Sequence, residues 1–139
     1  MPLSDFSESV RSRFEIKEWK HSIAILKNDF PEEWKDLVEL LEEFELRRSW
    51  ITTPGGRKSQ IAEWIDQFMC DRGWVEKQFL TSVTVDDVQL KSPTHKIDCY
   101  KNRIALELEW NNKDPFFDRD LNKVLKVVAD QDVRFWYLV

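Results

Sequence analysis

Three carboxylate side chains, those of Asp98, Glu107 and Glu109, are the groups of this sequence best suited to perform chemistry. In residues 103–110 an apolar side chain occurs at every second position, which predicts a β-strand with Glu107 and Glu109 on one face. Carboxylates that share a face repel one another unless a proton, a basic group or a metal ion offsets their charge. Because Mg²⁺ prefers oxygen ligands, the pattern predicts a magnesium site.

A short turn before this strand determines how the third carboxylate joins the other two. Asn102 tolerates the positive φ that a two-residue hairpin loop requires, so we expect a loop at Lys101-Asn102 or at Asn102-Arg103. In one register Asp98 lies directly opposite Glu107, with ~5 Å between Cβ atoms, and in the other register it is the diagonal neighbour. In both registers the two carboxylates can reach one small cation.

The sequence around these acids resembles the PD-(D/E)XK nuclease core and, more closely, the BglII/BstYI-type restriction endonucleases. The resemblance is carried by residues 94–102 and by residues 106–121, which contain the run ELEWNNKDPFFDRDL. A second match lies in residues 55–61 and 71–74, so the resemblance covers roughly the second half of the chain. Glu109 stands where the wider superfamily usually has lysine, and this leaves the identity of the general base open.

The resemblance implies a type II restriction enzyme of a restriction-modification system, which cuts a short GATC-centred palindrome in double-stranded DNA as a homodimer. It implies Mg²⁺ as the cofactor, with Asp98 and Glu107 as ligands and the backbone carbonyl of Leu108 as a third. Glu109 would orient or deprotonate the attacking water, or hold a second metal ion. No organic cofactor and no membrane partner are expected.

Polar residues close to the motif are the expected contacts with DNA. The amides of Asn111 and Asn112 can donate to and accept from a base edge, and Arg119 can contact guanine. Lys96 lies on the face of the acids, where it either binds a phosphate or offsets their charge. Lys113 is a further expected DNA contact.

Other interpretations of the same residues stay open. The acidic face could be the solvated side of an edge strand, with its charge offset by Lys96 or Arg103. The chain could also be a non-catalytic DNA-binding or interaction module with a degenerate nuclease core, or a less specific repair-type nuclease. Three adjacent acids favour a working site, because an inactive site has no physical need for them.

Composition limits the class of protein without deciding its function. The 139 residues fit one domain with a real core, and the hydrophobic content of 42% with seven tryptophans predicts a globular protein. No apolar stretch approaches the ~20 residues of a membrane span, no secretory signal is visible, and two cysteines are too few for a disulfide scaffold. We therefore expect a cytoplasmic protein with free thiols.

The distribution of charge is compatible with DNA binding despite a net charge of −5. Residues 1–56 contain eight basic and twelve acidic side chains, whereas residues 91–126 contain eight basic and six acidic ones. Three of those six acids are the proposed metal-site carboxylates, so a bound divalent cation would make this segment more positive. Local charge governs phosphate contacts more than total charge does.

The order of elements predicts an α/β (α+β) fold with a restriction-endonuclease-like core, in which helices flank a central mixed sheet. Helices are expected in three places: from Pro31 with Asn28 or Asp29 as the cap, over residues 58–71, and from residue 115 or 118 to 129. Strands are expected over residues 74–85, 88–100 (interrupted near Pro93), 103–110 and 133–139. Residues 1–12 are expected to be frayed, and residues 14–26 could be helix or strand.

The chain is expected to form a single nuclease domain over residues 1–139. Its N-terminal part, residues 1–50, would be helical, and the catalytic core would occupy residues 55–139. The final strand, residues 133–139, is apolar and needs a pairing partner and a covering layer. Because relatives continue beyond this point, we expect the catalytic core to be truncated or to require self-association.

Overall fold

The computed structural model describes residues 2–52, 60–93, 96–108 and 134–138. The chain divides into a helical unit, Met1–Arg72, and a sheet unit, Gly73–Val139. The described part of the helical unit contains a short 3-10 helix, Pro2–Asp5, and the helices α1 (Glu8–Arg13), α2 (Ser22–Asp29), α3 (Pro31–Glu43), α4 (Arg48–Thr52) and α5 (Gln60–Cys70). The described part of the sheet unit contains the strands β1 (Val75–Lys77), β2 (Leu80–Val85), β3 (Val88–Pro93), β4 (Ile97–Lys101), β5 (Ile104–Leu108) and β6 (Arg134–Leu138).

The N-terminal segment is helical, so the expectation that residues 1–12 are frayed is wrong. Ser7 caps α1, because its side-chain oxygen accepts a hydrogen bond of 3.2 Å from the backbone N–H of Val10. Val10 is fully buried and belongs, with Phe6 and Ile23, to the core of the helical unit. Capping and burial together offset the entropy cost of ordering so short a helix.

Pro31 begins α3 as expected, but the predicted cap by Asn28 or Asp29 is wrong. The Asn28 side chain donates instead to the backbone carbonyl of Ala24 within α2, at 2.8 Å. Phe30 occupies the N-cap position of α3 without a side-chain hydrogen bond. A proline in the first turn has no N–H to satisfy, and the acidic residues beside it favour the positive end of the helix dipole.

Arg13 connects α1 to the C-terminal end of α3. Its guanidinium donates to the backbone carbonyls of Leu41 (2.9 Å), Glu42 (3.1 Å) and Phe44 (2.6 Å). The last carbonyls of a helix have no partner within the helix, so a cation placed there satisfies them and complements the dipole. This contact fixes the packing of two helices that are far apart in sequence.

The other predicted helices agree with the structure where it describes them. α5 lies within the predicted segment 58–71, and Gly73, with a φ of 87°, follows it as the expected stop. Residues 14–26 contain a loop that leads into α2, and the helix predicted to end at residue 129 lies outside the described residues. In the described parts of the chain, no helix is long and apolar enough to cross a membrane.

The described strands of the sheet unit form two sheets. The larger has the strand order β1-β4-β5-β6, in which β4 is antiparallel to both β1 and β5, and β5 is parallel to β6. The mixed sheet and the final strand are therefore confirmed. β3 ends at Pro93 and β4 begins at Ile97, so the interruption expected near Pro93 is confirmed. The prediction of a single strand over residues 74–85 is wrong, because the chain leaves this sheet after β1 and returns at β4. Between these strands, β2 and β3 form a separate two-stranded hairpin.

β5 is an inner strand that is buried on both faces. Ile104 and Leu106 on one face are buried, and so are Ala105 and Glu107 on the other. Inner strands with both faces covered consist mainly of apolar residues, so a carboxylate here is exceptional. Glu107 is the residue of β5 that packing alone does not explain.

Candidate active site

The turn between β4 and β5 brings the first two acids together. Asn102 and Arg103 form its two-residue loop, with φ values of 47° and 69°. Two consecutive positive φ angles are the mark of a type I′ turn, whose twist matches that of the strands it joins. Of the two loops that the sequence allowed, the structure has Asn102-Arg103.

This loop sets the register of the two strands. Cys99 pairs with Leu106, and continuing this register by one residue on each strand would place Asp98 opposite Glu107. Counting outward from the loop, this would be a non-hydrogen-bonded pair, the type in which side chains approach more closely. The loop therefore favours the directly opposed arrangement over the diagonal one.

The two carboxylates have different surroundings. The Oδ2 atom of Asp98, a half-buried residue, accepts a hydrogen bond of 2.9 Å from the backbone N–H of Leu108. Glu107 is 3% exposed, and its Oε1 atom is buried. A solvated edge strand is therefore the wrong interpretation of this face. Burial of a carboxylate is costly, and hydrogen bonds or a cation must offset its charge.

The donor set fits a small, hard cation. Asp98 and Glu107 offer carboxylate oxygens from opposed positions, and Mg²⁺ accepts few protein ligands because it keeps several waters. In the part of the chain that the structure describes, no cluster of three or more His, Cys, Asp or Glu side chains could hold a metal ion. The structure thus brings together two of the three predicted acids, and Glu109 lies outside the described residues.

Lys96 forms an ion pair with a residue that sequence analysis did not single out. Its Nζ atom lies 3.0 Å from Oε1 of Glu76 in β1, and both side chains are mostly exposed. Such a surface pair contributes little to stability, but it offsets the charge of Lys96. The two residues have opposite charges on neighbouring strands, but this predicts the ion pair only once the pairing of β1 with β4 is known.

A second lysine lies over an aromatic ring of β4, two residues from Asp98. The Nζ atom of Lys77 lies 4.7 Å from the ring centroid of Tyr100 and 5.1 Å from that of Phe79. Tyr100 shares a face of β4 with Asp98, two residues away. The register of β1 against β4 shifts between Val75 and Lys77, so Lys77 pairs with Ile97, the residue before Asp98, a pairing that the sequence does not reveal.

The remaining predicted residues follow β5. They are Asn111, Asn112, Lys113 and Arg119, and all four lie outside the described residues. Their contacts with DNA stay predictions. The metal-ligand role of the Leu108 carbonyl also stays a prediction, because the structure shows only the N–H of that residue in contact with Asp98.

Comparison with protein families identifies the chain. The model of the restriction endonuclease BglII/BglIII family matches residues 14–136. The chain belongs to this family. It is therefore a type II restriction endonuclease, a site-specific deoxyribonuclease whose substrate is DNA. Comparisons with curated proteins and with solved structures found no match.

The family match extends the resemblance that the sequence showed. It includes the helical unit from residue 14 onward, whereas the motifs covered only the second half of the chain. It also favours a restriction enzyme over a non-catalytic module or a repair-type nuclease.

Proposed function

We propose that this endonuclease cuts both strands of a short GATC-centred palindrome in a Mg²⁺-dependent reaction, with Asp98 and Glu107 as the metal ligands. The observation that carries this proposal is the β4–β5 register, which brings the two carboxylates to neighbouring positions on one face, with Glu107 buried. A buried acid on an inner strand, facing a second acid, is unfavourable in an ordinary core and suitable for a cation.

The residues of the chain prepare this site before DNA binds. The N–H of Leu108 holds Oδ2 of Asp98 and leaves Oδ1 as the oxygen available to a cation. Glu107 is buried, so its surroundings have a low dielectric constant, which strengthens its attraction for positive charge. When bound, Mg²⁺ lowers the pKa of its water and stabilises negative charge on the phosphate.

Hydrolysis requires a proton to leave the attacking water. Glu109 follows β5 two residues after Glu107, and we assign it to orient this water or to accept its proton. The water oxygen forms a bond to phosphorus, the bond from phosphorus to the 3′ oxygen breaks, and the 3′ oxygen leaves as a hydroxyl after gaining a proton. A Leu108 carbonyl bound to the metal would complete the ligand set.

A palindromic site suits a two-fold homodimer. Each subunit then presents one pair of acids to one strand, and the same base contacts occur twice. In this arrangement Asn111, Asn112 and Arg119 read base edges, while Lys96 and Lys113 contact the backbone. The enzyme would act in the cytoplasm, where the DNA it cuts is accessible.

Plasmid cleavage tests the proposal. Purified protein is incubated with methylated and with unmethylated plasmid, in Mg²⁺ or in EDTA, and the ends of the products are sequenced. Discrete fragments that appear only with Mg²⁺ and end at GATC-centred sites are the expected result. A smear would contradict site-specific cleavage, and cutting in EDTA would contradict the metal requirement.

A further inference from the structure

When DNA approaches Asp98 and Glu107, its negatively charged backbone comes close to two carboxylates that are also negative. Productive binding therefore needs positive charge beside the acids. Glu109 occupies the position at which the wider superfamily usually has a lysine, so this position adds no positive charge. The positive charge must then come from another cation next to the acids.

Two lysines of the described sheet unit are near Asp98 along the strands: Lys96 precedes it by two residues, and Lys77 pairs with Ile97, the residue before it. Lys96 is paired with Glu76 at 3.0 Å, so part of its charge is already offset. Lys77 forms no ion pair with a described carboxylate, and its ammonium group lies over the rings of Phe79 and Tyr100. An aromatic ring attracts a cation without cancelling its charge. Lys77 is therefore the better source of positive charge.

The position of Lys77 fits a phosphate near the acids. Tyr100 and Asp98 share a face of β4, and neighbours on one face of a strand lie ~7 Å apart. Lys77 Nζ is 4.7 Å from the Tyr100 ring centroid, so it stands beside the acid pair and not within it. Phosphates of one DNA strand follow one another every ~3.4 Å along the helix axis, which brings a flanking phosphate within this range.

We infer that Lys77 binds a backbone phosphate that flanks the scissile one, and that Phe79 and Tyr100 hold its side chain in position for this contact. The inference rests on the proposed function of Asp98 and Glu107, because it places the DNA backbone over them. The ligand is a phosphate diester, recognised by charge and independently of base sequence.

The aromatic pair gives the lysine a restricted starting position. The rings of Phe79 and Tyr100 meet edge to face at a centroid distance of 5.5 Å, and both pack against Ile97 and Ala105 in the core of the sheet unit. A lysine stem that lies on rigid rings has lost part of its rotamer freedom before DNA arrives. Binding then costs less entropy than it would for a freely moving side chain.

Binding of Lys77→Met to DNA tests the contact. The variant keeps an unbranched stem and a sulfur that packs well on aromatic rings, so the fold should persist. Affinity is measured by fluorescence anisotropy in Ca²⁺ over a salt series, on one duplex with the site that the wild type cuts and one without it. We expect about tenfold weaker binding to both duplexes, and a salt slope that is smaller by about 0.9.

Further variants separate charge from packing. Lys77→Arg should bind within about threefold of the wild type because it keeps the charge. Phe79→Leu should lose about threefold, because the ring that positions the lysine is gone. Lys35→Met removes an exposed positive charge from α3 and should leave affinity and salt slope unchanged. If Lys77→Arg binds as weakly as Lys77→Met, packing and not charge explains the loss, and the inference is wrong.

The outcomes distinguish this inference from the proposed function. A wild-type protein that fails to cut plasmid in Mg²⁺ refutes the proposed function. A wild type that cuts, with a Lys77→Met variant whose affinity and salt slope are unchanged, refutes only the phosphate contact. Weaker binding confined to the duplex with the cleavage site would indicate base recognition, and would also overturn the inference.

Discussion

The β2–β3 and β4–β5 hairpins have the same local geometry and very different surroundings. Each is closed by a two-residue loop with two positive φ angles, 47° and 64° at Asp86 and Asp87, and 47° and 69° at Asn102 and Arg103. Each has strands in antiparallel register without a shift. The difference lies in what the strands contact beyond their own partner.

Burial separates the two hairpins. Four apolar residues on one face of β2–β3 are more than half exposed: Val83, Val85, Val88 and Leu90. Ile104, Ala105 and Leu106 of β5 are at most 2% exposed, because β4 and β5 lie between β1 and β6. An acid in the first hairpin can remain hydrated, as at the Asp86-Asp87 loop. An acid in the second must be compensated, and there a carboxylate indicates chemistry.

Removing the charge of one opposed acid should have the largest effect. Asp98→Asn and Glu107→Gln are each expected to lower plasmid cleavage on the order of 10³-fold or more, with DNA binding in Ca²⁺ kept or improved. In Asp98→Asn the amide oxygen can still accept from Leu108, so the amide NH₂ takes the place of the cation-binding oxygen.

The acids of the exposed loop provide the matched control for these variants. Asp86→Asn and Asp87→Asn should cut at the wild-type rate, because hydrated loop carboxylates make no contact that catalysis needs. Near-normal cleavage by Asp98→Asn would contradict the assignment of Asp98 as a metal ligand. The acids of the two hairpins would then not differ in their effect on cleavage.

Truncation of matched leucines should show the same contrast in stability. Leu106→Ala in β5 is expected to lower the free energy of unfolding by about 2–5 kcal/mol, because Leu106 is 2% exposed. Leu90→Ala in β3 removes the same atoms at a position 58% exposed, and should change it by less than about 0.5 kcal/mol. Urea denaturation measures both values. Equal losses would show that the β2–β3 hairpin is covered in solution.

The residues after β5 should determine which DNA sequence the enzyme prefers. Asn111→Ala, Asn112→Ala and Arg119→Ala are each expected to reduce discrimination between cleavage-site and random duplexes by about 1–3 kcal/mol, without loss of folding. Gln89→Ala, on the polar face of β2–β3 where its amide donates to Ser82 (3.2 Å), should leave discrimination unchanged. Equal weakening on both duplexes would exclude the three residues from base recognition.

The smallest difference between the two hairpins is expected for substitutions in their loops. Asn102 and Asp86 both have a φ of 47°, which a β-branched residue adopts only with strain. Asn102→Val should cost about 1–2 kcal/mol of unfolding free energy, whereas Asn102→Gly should be almost neutral. Asp86→Val should cost less, because the exposed hairpin can open locally and lose little buried area. Hydrogen exchange of β2 and β3 amides detects such opening.

Local signals made the active-site hairpin predictable. The two-residue period of residues 103–110 and the turn preference of Asn102 are properties of short segments, and together they brought Asp98 beside Glu107. The run that follows β5 identified the family. The choice between opposed and diagonal registers needed the loop itself, because the two loops differ by only one residue.

Features that depend on distant packing were not predictable. The segment from residue 74 to 85 alternates moderately throughout, so the departure of the chain from the larger sheet after β1 left no sequence signal. Helix α1 is stabilised because Val10 packs in one buried cluster with Ile23. The polar sequence of residues 1–12 does not indicate this packing. The pairing of Lys77 with Ile97 follows from a shift in register, which periodicity cannot reveal.

The parallel pairing of β5 with β6 has a consequence for synthesis of the enzyme. The β4–β5 hairpin involves neighbouring residues and can close within microseconds, whereas β6 follows only after residues 109–133. At ~5–20 residues per second, a ribosome delivers β6 a second or more after β5. Until then β5 has an open edge, which invites aggregation. A nascent chain thus holds β5 without its parallel partner until β6 has been synthesised.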